Sequence, residues 1–379
     1  MDKANKKVET IAFYLPSLEG GGAERVVVNL ISKFAENDFV IHLLLASAKG
    51  PYIREIPSKV RIFNFKASHL LFSLPKLIQY LKAEKPDVLL SSLSHANIVA
   101  IVAKNISKDD AKLIIREDNT PSQERKNNHS LKVKLIPLLV KNYYPMADFV
   151  VAVSEGVKDD LVNFVKVPSE KVKVIYNPVI SPELFEKARE PVDHPWFISK
   201  EHPVILGVGR LTKQKDFPTL LKAFALVRKE VDARLVILGE GKERQNLEKL
   251  AKELGISEYV WMPGFVDNPY KYMSKASVFV LSSIYEGLAN VLIEALALGV
   301  PVVSTDCPSG PREVLEDGKY GKLVPVSDVE ALKNAIIETL SSGNDLKDNC
   351  SLKEHLQRFT IDKVANEYIE ICLKDEQNE

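Results

Sequence analysis

Short apolar runs alternate with amphipathic stretches of helical period along most of the chain. In the first half, Lys7–Leu15, Phe39–Leu45, Lys59–Phe65, Asp87–Ser91, Lys112–Ile115, Phe149–Val153 and Lys171–Ile175 read as strands. Between them, Ala23–Ala35 carries Val26, Val27, Leu30, Ile31 and Phe34 at helical spacing. Leu74–Ala83 and Ser154–Val165 read as helices too. From Ser181 to His202 the chain turns polar and carries Pro182, Pro191 and Pro195, as a connecting region does. The alternation then resumes. Strands are predicted at Val204–Val208, Arg234–Leu238, Tyr259–Met262, Ser277–Leu281, Val300–Val303 and Gly318–Val324. Helices are predicted at Phe217–Val231, Lys242–Leu254, Ala289 to Gly299, Asp328–Leu340 and Ile361–Leu373. Strand–helix–strand repetition builds a parallel, doubly wound α/β sheet, and the length of the chain fits two of them.

The most informative stretch runs from Ser282 to Ser304. An apolar strand stops in serines, and a turn carrying Glu286 leads into a helix that carries Glu294 and ends at Gly299, a good residue beyond a helix end. The first N–H groups of that helix, from Gly287, Leu288, Ala289, Asn290 and Val291, are a ready anion site. A carboxylate beside bound phosphate would be repelled, so Glu286 is better suited to hydroxyl groups. A sugar nucleotide offers both: diphosphate for the amides, sugar hydroxyls for Glu286, ribose hydroxyls for Glu294. Two solvated glutamates on a surface turn and helix are the plainer reading of the same residues.

The string EGLANVLIEALALGVPVVSTDCPSGPREVL resembles the corresponding region of the retaining family 4 glycosyltransferases, and weaker similarity extends over roughly residues 8 to 370. That resemblance implies the GT-B fold. Two doubly wound Rossmann-like domains, about 1–178 and 179–357, would face one another across a cleft, and a terminal helix, about 358–379, would cross back to the first domain. It also implies residue roles. The paired Glu286 and Glu294 would bind donor sugar and ribose, and Arg210 and Lys215 would meet the donor diphosphate. The Gly-Gly-Ala-Glu-Arg string at Gly21 and Gly22 would close on the phosphates, Gly239 would lie in the donor site, and the backbone at Val266 would meet the nucleobase. Many relatives carry a histidine where Asp118 stands here, which leaves the acceptor side open. His95, at the carboxyl end of a strand, is a second acceptor-side candidate. The implied reaction moves a hexose or N-acetylhexosamine from a UDP-sugar to a hydroxyl of a lipid-linked saccharide or polysaccharide, with retention. The family needs no metal at the diphosphate, so no cofactor is expected.

Composition narrows the remaining classes. Hydrophobic residues make up 45% and charged residues 27% of the 379, as in soluble globular proteins. No apolar run is long enough to span a membrane, and the charged N-terminus is not a secretory signal. Cys307, Cys350 and Cys372 lack ligand spacing, so neither zinc nor a disulfide framework is expected, and a cytoplasmic location is the default. The net charge is zero, yet residues 1–178 carry 26 Lys and Arg against 19 Asp and Glu. A basic first half suits an anionic partner, either a phosphate-bearing acceptor or an acidic membrane surface; no nucleic acid is expected. Ser122–Tyr144, with Arg125, Lys126, Lys132, Lys134 and Lys141 among leucines and valines, has the pattern of an interfacial helix or of a core helix with a basic outer face. The Gly-x-Gly sites lack a third small residue, Arg25 and Arg244 standing there, which argues against a nicotinamide oxidoreductase. A sugar-nucleotide epimerase or a non-catalytic sugar-nucleotide binder of the same fold stays open.

Overall fold

A computed structural model describes residues 9–127, 138–199, 201–342 and 349–374. The chain divides into two compact units. One runs to Val179 and resumes at Arg358; the other is Ile180–Gln357.

The first unit holds strands β1 (Thr10–Leu15), β2 (Val40–Leu45), β3 (Arg61–Asn64), β4 (Val88–Ser92), β5 (Lys112–Glu117), β6 (Phe149–Ala152) and β7 (Val172–Val174). They form one parallel sheet in the order β3-β2-β1-β4-β5-β6-β7. The second unit holds β8 (Val204–Val208), β9 (Arg234–Leu238), β10 (Val260–Gly264), β11 (Val278–Leu281), β12 (Val302–Thr305) and β13 (Lys322–Val324), parallel in the order β10-β9-β8-β11-β12-β13. Strand order reverses between β1 and β4 and between β8 and β11. In such sheets ligands bind at the carboxyl ends beside that switch.

Central strands are apolar because both faces are covered by helices. Ile11 to Leu15 of β1 are wholly buried, and the helix Gly22–Phe34 lays Val27, Leu30, Ile31 and Phe34 over them. The rings of Phe13 and Phe34 meet edge to face at 5.6 Å. The terminal helix Ile361–Leu373 completes this same core with Val364, Ala365, Tyr368, Ile371 and Cys372. The Lys112 ammonium donates to the carbonyls of Ile371 and Cys372 at 3.3 and 3.0 Å, a cation at a helix C-terminus.

Several predicted boundaries move, each for a physical reason. Strand β5 continues past the predicted end at Ile115 through Arg116 and Glu117, because both charged side chains find buried partners. The helix Ser94–Ser107 went unpredicted; its buried Ala96, Asn97, Val99, Ala100, Ile101 and Ala103 make no clean one-faced stripe. The polar connection contains two short helices, Pro182–Ala188 and Pro195–Ile198, capped by Ser181 and His194. The predicted Ser154–Val165 helix starts as an α-helix, Glu155–Asp159, and widens to π geometry over Asp160–Val165. Strand β13 starts only at Lys322, because Asp317 and Gly318 adopt left-handed backbone conformations. Of the basic stretch Ser122–Tyr144, Pro121–Asn127 and residues 138–143 are helical, while Lys132 and Lys134 lie outside the described residues. Among the described residues, no helix is long and apolar enough to cross a membrane.

Candidate active site

The second unit gathers its chemistry where β8 and β11 end. After β8 the chain turns through Gly209–Asp216 into the helix Phe217–Val227. After β11 it turns through Ser282–Ala289 into the helix Asn290–Ala297, which begins one residue later than predicted. The two turns are bound to each other. Ile284 N–H donates to the Gln214 carbonyl at 2.8 Å, Gln214 Nε2 to the Tyr285 carbonyl at 3.0 Å, and Ser282 Oγ to the Lys215 carbonyl at 2.7 Å. This lacing brings Lys215 Nζ to 2.5 Å from Glu286 Oε1. Ser283 Oγ donates to the same oxygen at 2.5 Å. Glu286 is 6% exposed. Its Oε1 takes both donors. Arg210, on the same turn, is exposed, and its side chain makes no hydrogen bond or ion pair among the described residues.

Backbone conformation sets the turn that presents Gly287 to Val291. Ala289 adopts φ +64°, a left-handed value that costs a residue with a side chain about 1 kcal/mol. It lends the following helix no side-chain cap. The loop after β12 supports this turn from behind. Ser309 Oγ donates to the Gly287 carbonyl at 2.7 Å, and a Cβ on Gly310 would lie 2.8 Å from the Leu288 carbonyl. Glu294 points from the helix into a buried position, 8% exposed, where Tyr270 Oη donates to Oε1 at 3.4 Å. Cys307 is buried nearby, and burial together with the Glu286 charge pushes its thiol far up, which keeps it inert.

Gly239 has a clear structural role. It sits at φ +140°, and a Cβ there would lie 1.9 Å from the Gly209 carbonyl oxygen. The turns after β8, β9 and β10 are thereby stacked main chain on main chain, with Gly209 N–H to Leu238 O at 2.9 Å and Gly239 N–H to Gly264 O at 2.8 Å. Val266, half-buried, follows β10 on the same edge.

In the first unit, Gly20 takes φ +101° and Gly21 starts the helix Gly22–Phe34. Arg25, which replaces the third small residue of a dinucleotide fingerprint, is engaged elsewhere. It binds the Glu55 carboxylate through both terminal nitrogens and lies 3.9 Å over the Tyr52 ring. His95 is the exposed residue in the otherwise buried first turn of the helix Ser94–Ser107. Shielding of its ring and then the nearby His69 hold its pKa below the ordinary value.

Behind His95 and Asp118 lies a buried polar cluster that sequence reasoning missed. Arg116 is wholly buried and pairs with Asp118, while its other terminal nitrogen donates to Asn177 Oδ1 at 2.6 Å. Ser92 Oγ donates to Asp118 Oδ2 at 2.8 Å. Asp118 is thus oriented as a carboxylate with its side chain 11% exposed. Glu117, also buried, accepts from Ser94 Oγ at 2.9 and 3.0 Å and from Tyr144 Oη. Burial pushes its carboxyl up to about 8 against the pull of those bonds. The available signal was three consecutive charges, Arg116, Glu117 and Asp118, closing an apolar strand.

Two parallel α/β units of seven and six strands, each with polar groups at its switch point, are those of the GT-B fold. Family models agree: glycosyltransferase family 4 matches residues 20–180 and glycosyl transferases group 1 matches residues 189–354. The chain belongs to the family 4 glycosyltransferases. It is 34% identical over 369 residues, 94% of this chain and 97% of the relative, to the N-acetylgalactosamine-N,N'-diacetylbacillosaminyl-diphospho-undecaprenol 4-alpha-N-acetylgalactosaminyltransferase of Campylobacter jejuni. It is 28% identical to the lipopolysaccharide core biosynthesis glycosyltransferase LpsE of Rhizobium meliloti, covering 93% of this chain and 95% of that one. Anabaena HepE, solved with UDP and glucose, shares the fold with a TM-score of 0.78 at 20% identity, over 95% of this chain and 98% of that one.

Proposed function

We propose that this glycosyltransferase moves a hexose or N-acetylhexosamine from a UDP-sugar to a hydroxyl of a lipid-linked saccharide, with retention and without a metal. The observation that carries the reading is the pair of half-buried Lys215 with buried Glu286, beside the exposed Arg210, on the turns joining β8 and β11 to their helices. A leaving diphosphate needs fixed positive charge where its oxygen gains electrons. Arg210 and Lys215 supply it, together with the amides of Gly287 to Val291. Glu286 Oε2 accepts from the transferred sugar, and Glu294 accepts from the ribose. The acceptor oxygen forms its bond to the anomeric carbon on the face from which the phosphate oxygen departs, and that phosphate oxygen takes the acceptor proton. Positioning is then the protein's main contribution. The relatives named for diphospho-undecaprenol saccharides and for lipopolysaccharide core support a lipid-linked acceptor. Asp118, held by Arg116 and Ser92, and His95 are the groups we assign to its side.

Calorimetry with UDP tests the division of roles. Glu294→Gln should weaken UDP, which keeps the ribose. Glu286→Gln should leave UDP affinity nearly intact while lowering kcat on a UDP-sugar. The reverse order would exchange the two assignments. EDTA should not change the rate; loss restored by Mg²⁺ would refute the metal-free reading. Conversion of donor without any acceptor would favour an epimerase instead.

A further inference from the structure

Leu71 and Phe72, on the one-turn helix Leu70–Ser73 of the first unit, are 62% and 68% exposed. Two adjacent large apolar side chains at that exposure are costly in water, and a loose loop would fold them away. This turn is not loose. Ser73 is fully buried, donates to the Leu70 carbonyl at 2.5 Å, and shares a 2.6 Å hydrogen bond with the buried Tyr14 hydroxyl of β1. Phe72 also meets the His69 ring, with centroids 6.2 Å apart. The turn is fixed from beneath and presents its apolar pair outward.

Along the sequence the charge on either side of the turn is one-sided. Between Glu55 and Glu84 the chain has five Lys and Arg, namely Lys59, Arg61, Lys66, Lys76 and Lys82, and no Asp or Glu. Lys66 and Lys76 are both exposed, and the Lys76 ammonium reaches the backbone just before Lys66, donating to the carbonyl of Phe65. Exposed apolar tips in a stretch of chain whose charged residues are all basic match an anionic lipid surface: tips among the acyl chains, ammonium groups at the phosphates. The turn also adjoins a polar groove at the carboxyl ends of β1, β2 and β3, lined by Ser17, Glu19, Ser47, Lys49, Ser68 and His69.

We propose that the Leu70–Ser73 turn is a membrane-docking element, with Leu71 and Phe72 entering an anionic bilayer and Lys66 and Lys76 binding its headgroups. This surface is separate from the basic stretch at Ser122–Tyr144. Its purpose rests on the lipid-linked acceptor proposed above, since docking here sets the neighbouring groove against the surface from which such an acceptor projects. The binding itself does not depend on that reading.

The test uses the full chain and phosphatidylcholine vesicles with and without phosphatidylglycerol. Leu71→Ser combined with Phe72→Ser should weaken partition onto anionic vesicles by about tenfold or more, with an unchanged melting temperature. Lys66→Gln and Lys76→Gln should each weaken it by about fivefold on anionic vesicles only. The Phe72→Trp variant should gain fluorescence that lipids brominated in the acyl chain quench, over the signal of Trp196 and Trp261. No quenching of that added fluorescence, or equal partition of the double variant and the wild type, would overturn the proposal. So would a self-association in lipid-free solution that the double variant abolishes, because the patch would then be a contact between copies. Docking without transfer to any lipid-linked acceptor would sink the proposed function and leave the docking surface standing.

Discussion

Arg210 and Lys215 share one turn but answer to different constraints. Arg210 is exposed, whereas Lys215 neutralises a buried Glu286. Both Arg210→Ala and Lys215→Ala should lower kcat by about two to three decades, the cost of removing charge at a leaving phosphate. Only Lys215→Ala should also lower the stability, by about 1–3 kcal/mol in denaturant titration, because Glu286 is left buried without its cation. Wild-type turnover in either variant would refute the assignment. Glu117 allows a second test at this scale. Burial raises its carboxyl to about 8, whereas an unfolded glutamate titrates near ~4.3. Across that window the folded chain keeps a proton that the unfolded chain releases. The contribution to stability is therefore whole below the unfolded value and is lost as pH rises towards about 8. Glu117→Gln, which has no proton to lose there, should show a flatter profile; urea midpoints at pH 5 and 8 for both proteins check it. Of these groups, the glutamate pair and the basic turn were legible in the sequence because each is a local motif. The Arg116–Asn177 bond joins residues 61 apart and left no pattern to read.

Loops packed backbone to backbone place Arg210 and Lys215, and glycine makes this possible. At Gly239 both the conformation, φ +140°, and the Gly209 carbonyl exclude a side chain. Gly255, at φ +69°, faces open space. Gly255→Ala should therefore cost about 1 kcal/mol, the left-handed penalty alone. Gly239→Ala should cost more than about 3 kcal/mol and also weaken UDP, because the displaced turn carries Arg210 and Lys215. Denaturant titration and calorimetry on both variants separate the two cases; equal costs would mean that the close approach is wrong. The sequence placed Gly239 in the donor site, and only its neighbours reveal what it avoids. Element ends behaved alike. Apolar periodicity located the strands, but β5 ran on through Arg116 and Glu117 because the fold supplied partners for charges.

Over the whole molecule, the first unit is built from two distant pieces of chain. Tyr368 and its neighbours on the helix Ile361–Leu373 belong to the same core as Phe13, Ile31 and Phe34. Ending the chain at Thr360 should expose that core and abolish the unfolding transition of the first unit, while a second transition, from Ile180–Gln357, survives. Tyr368→Ala alone should cost about 3–5 kcal/mol. Calorimetric scans of both variants check this. By itself the sequence determined the α/β class, the doubling of the sheet, the polar connection between halves and the glutamate pair. These depend on the period at which side chains meet water and on spacings within one turn, which a chain carries locally. Tertiary structure alone decided that Lys215 binds Glu286, that Arg116 and Glu117 are buried, and that Leu71 and Phe72 stay exposed. Each outcome depends on which distant groups arrive beside a side chain, and burial of a charge is tolerated only where a partner arrives with it.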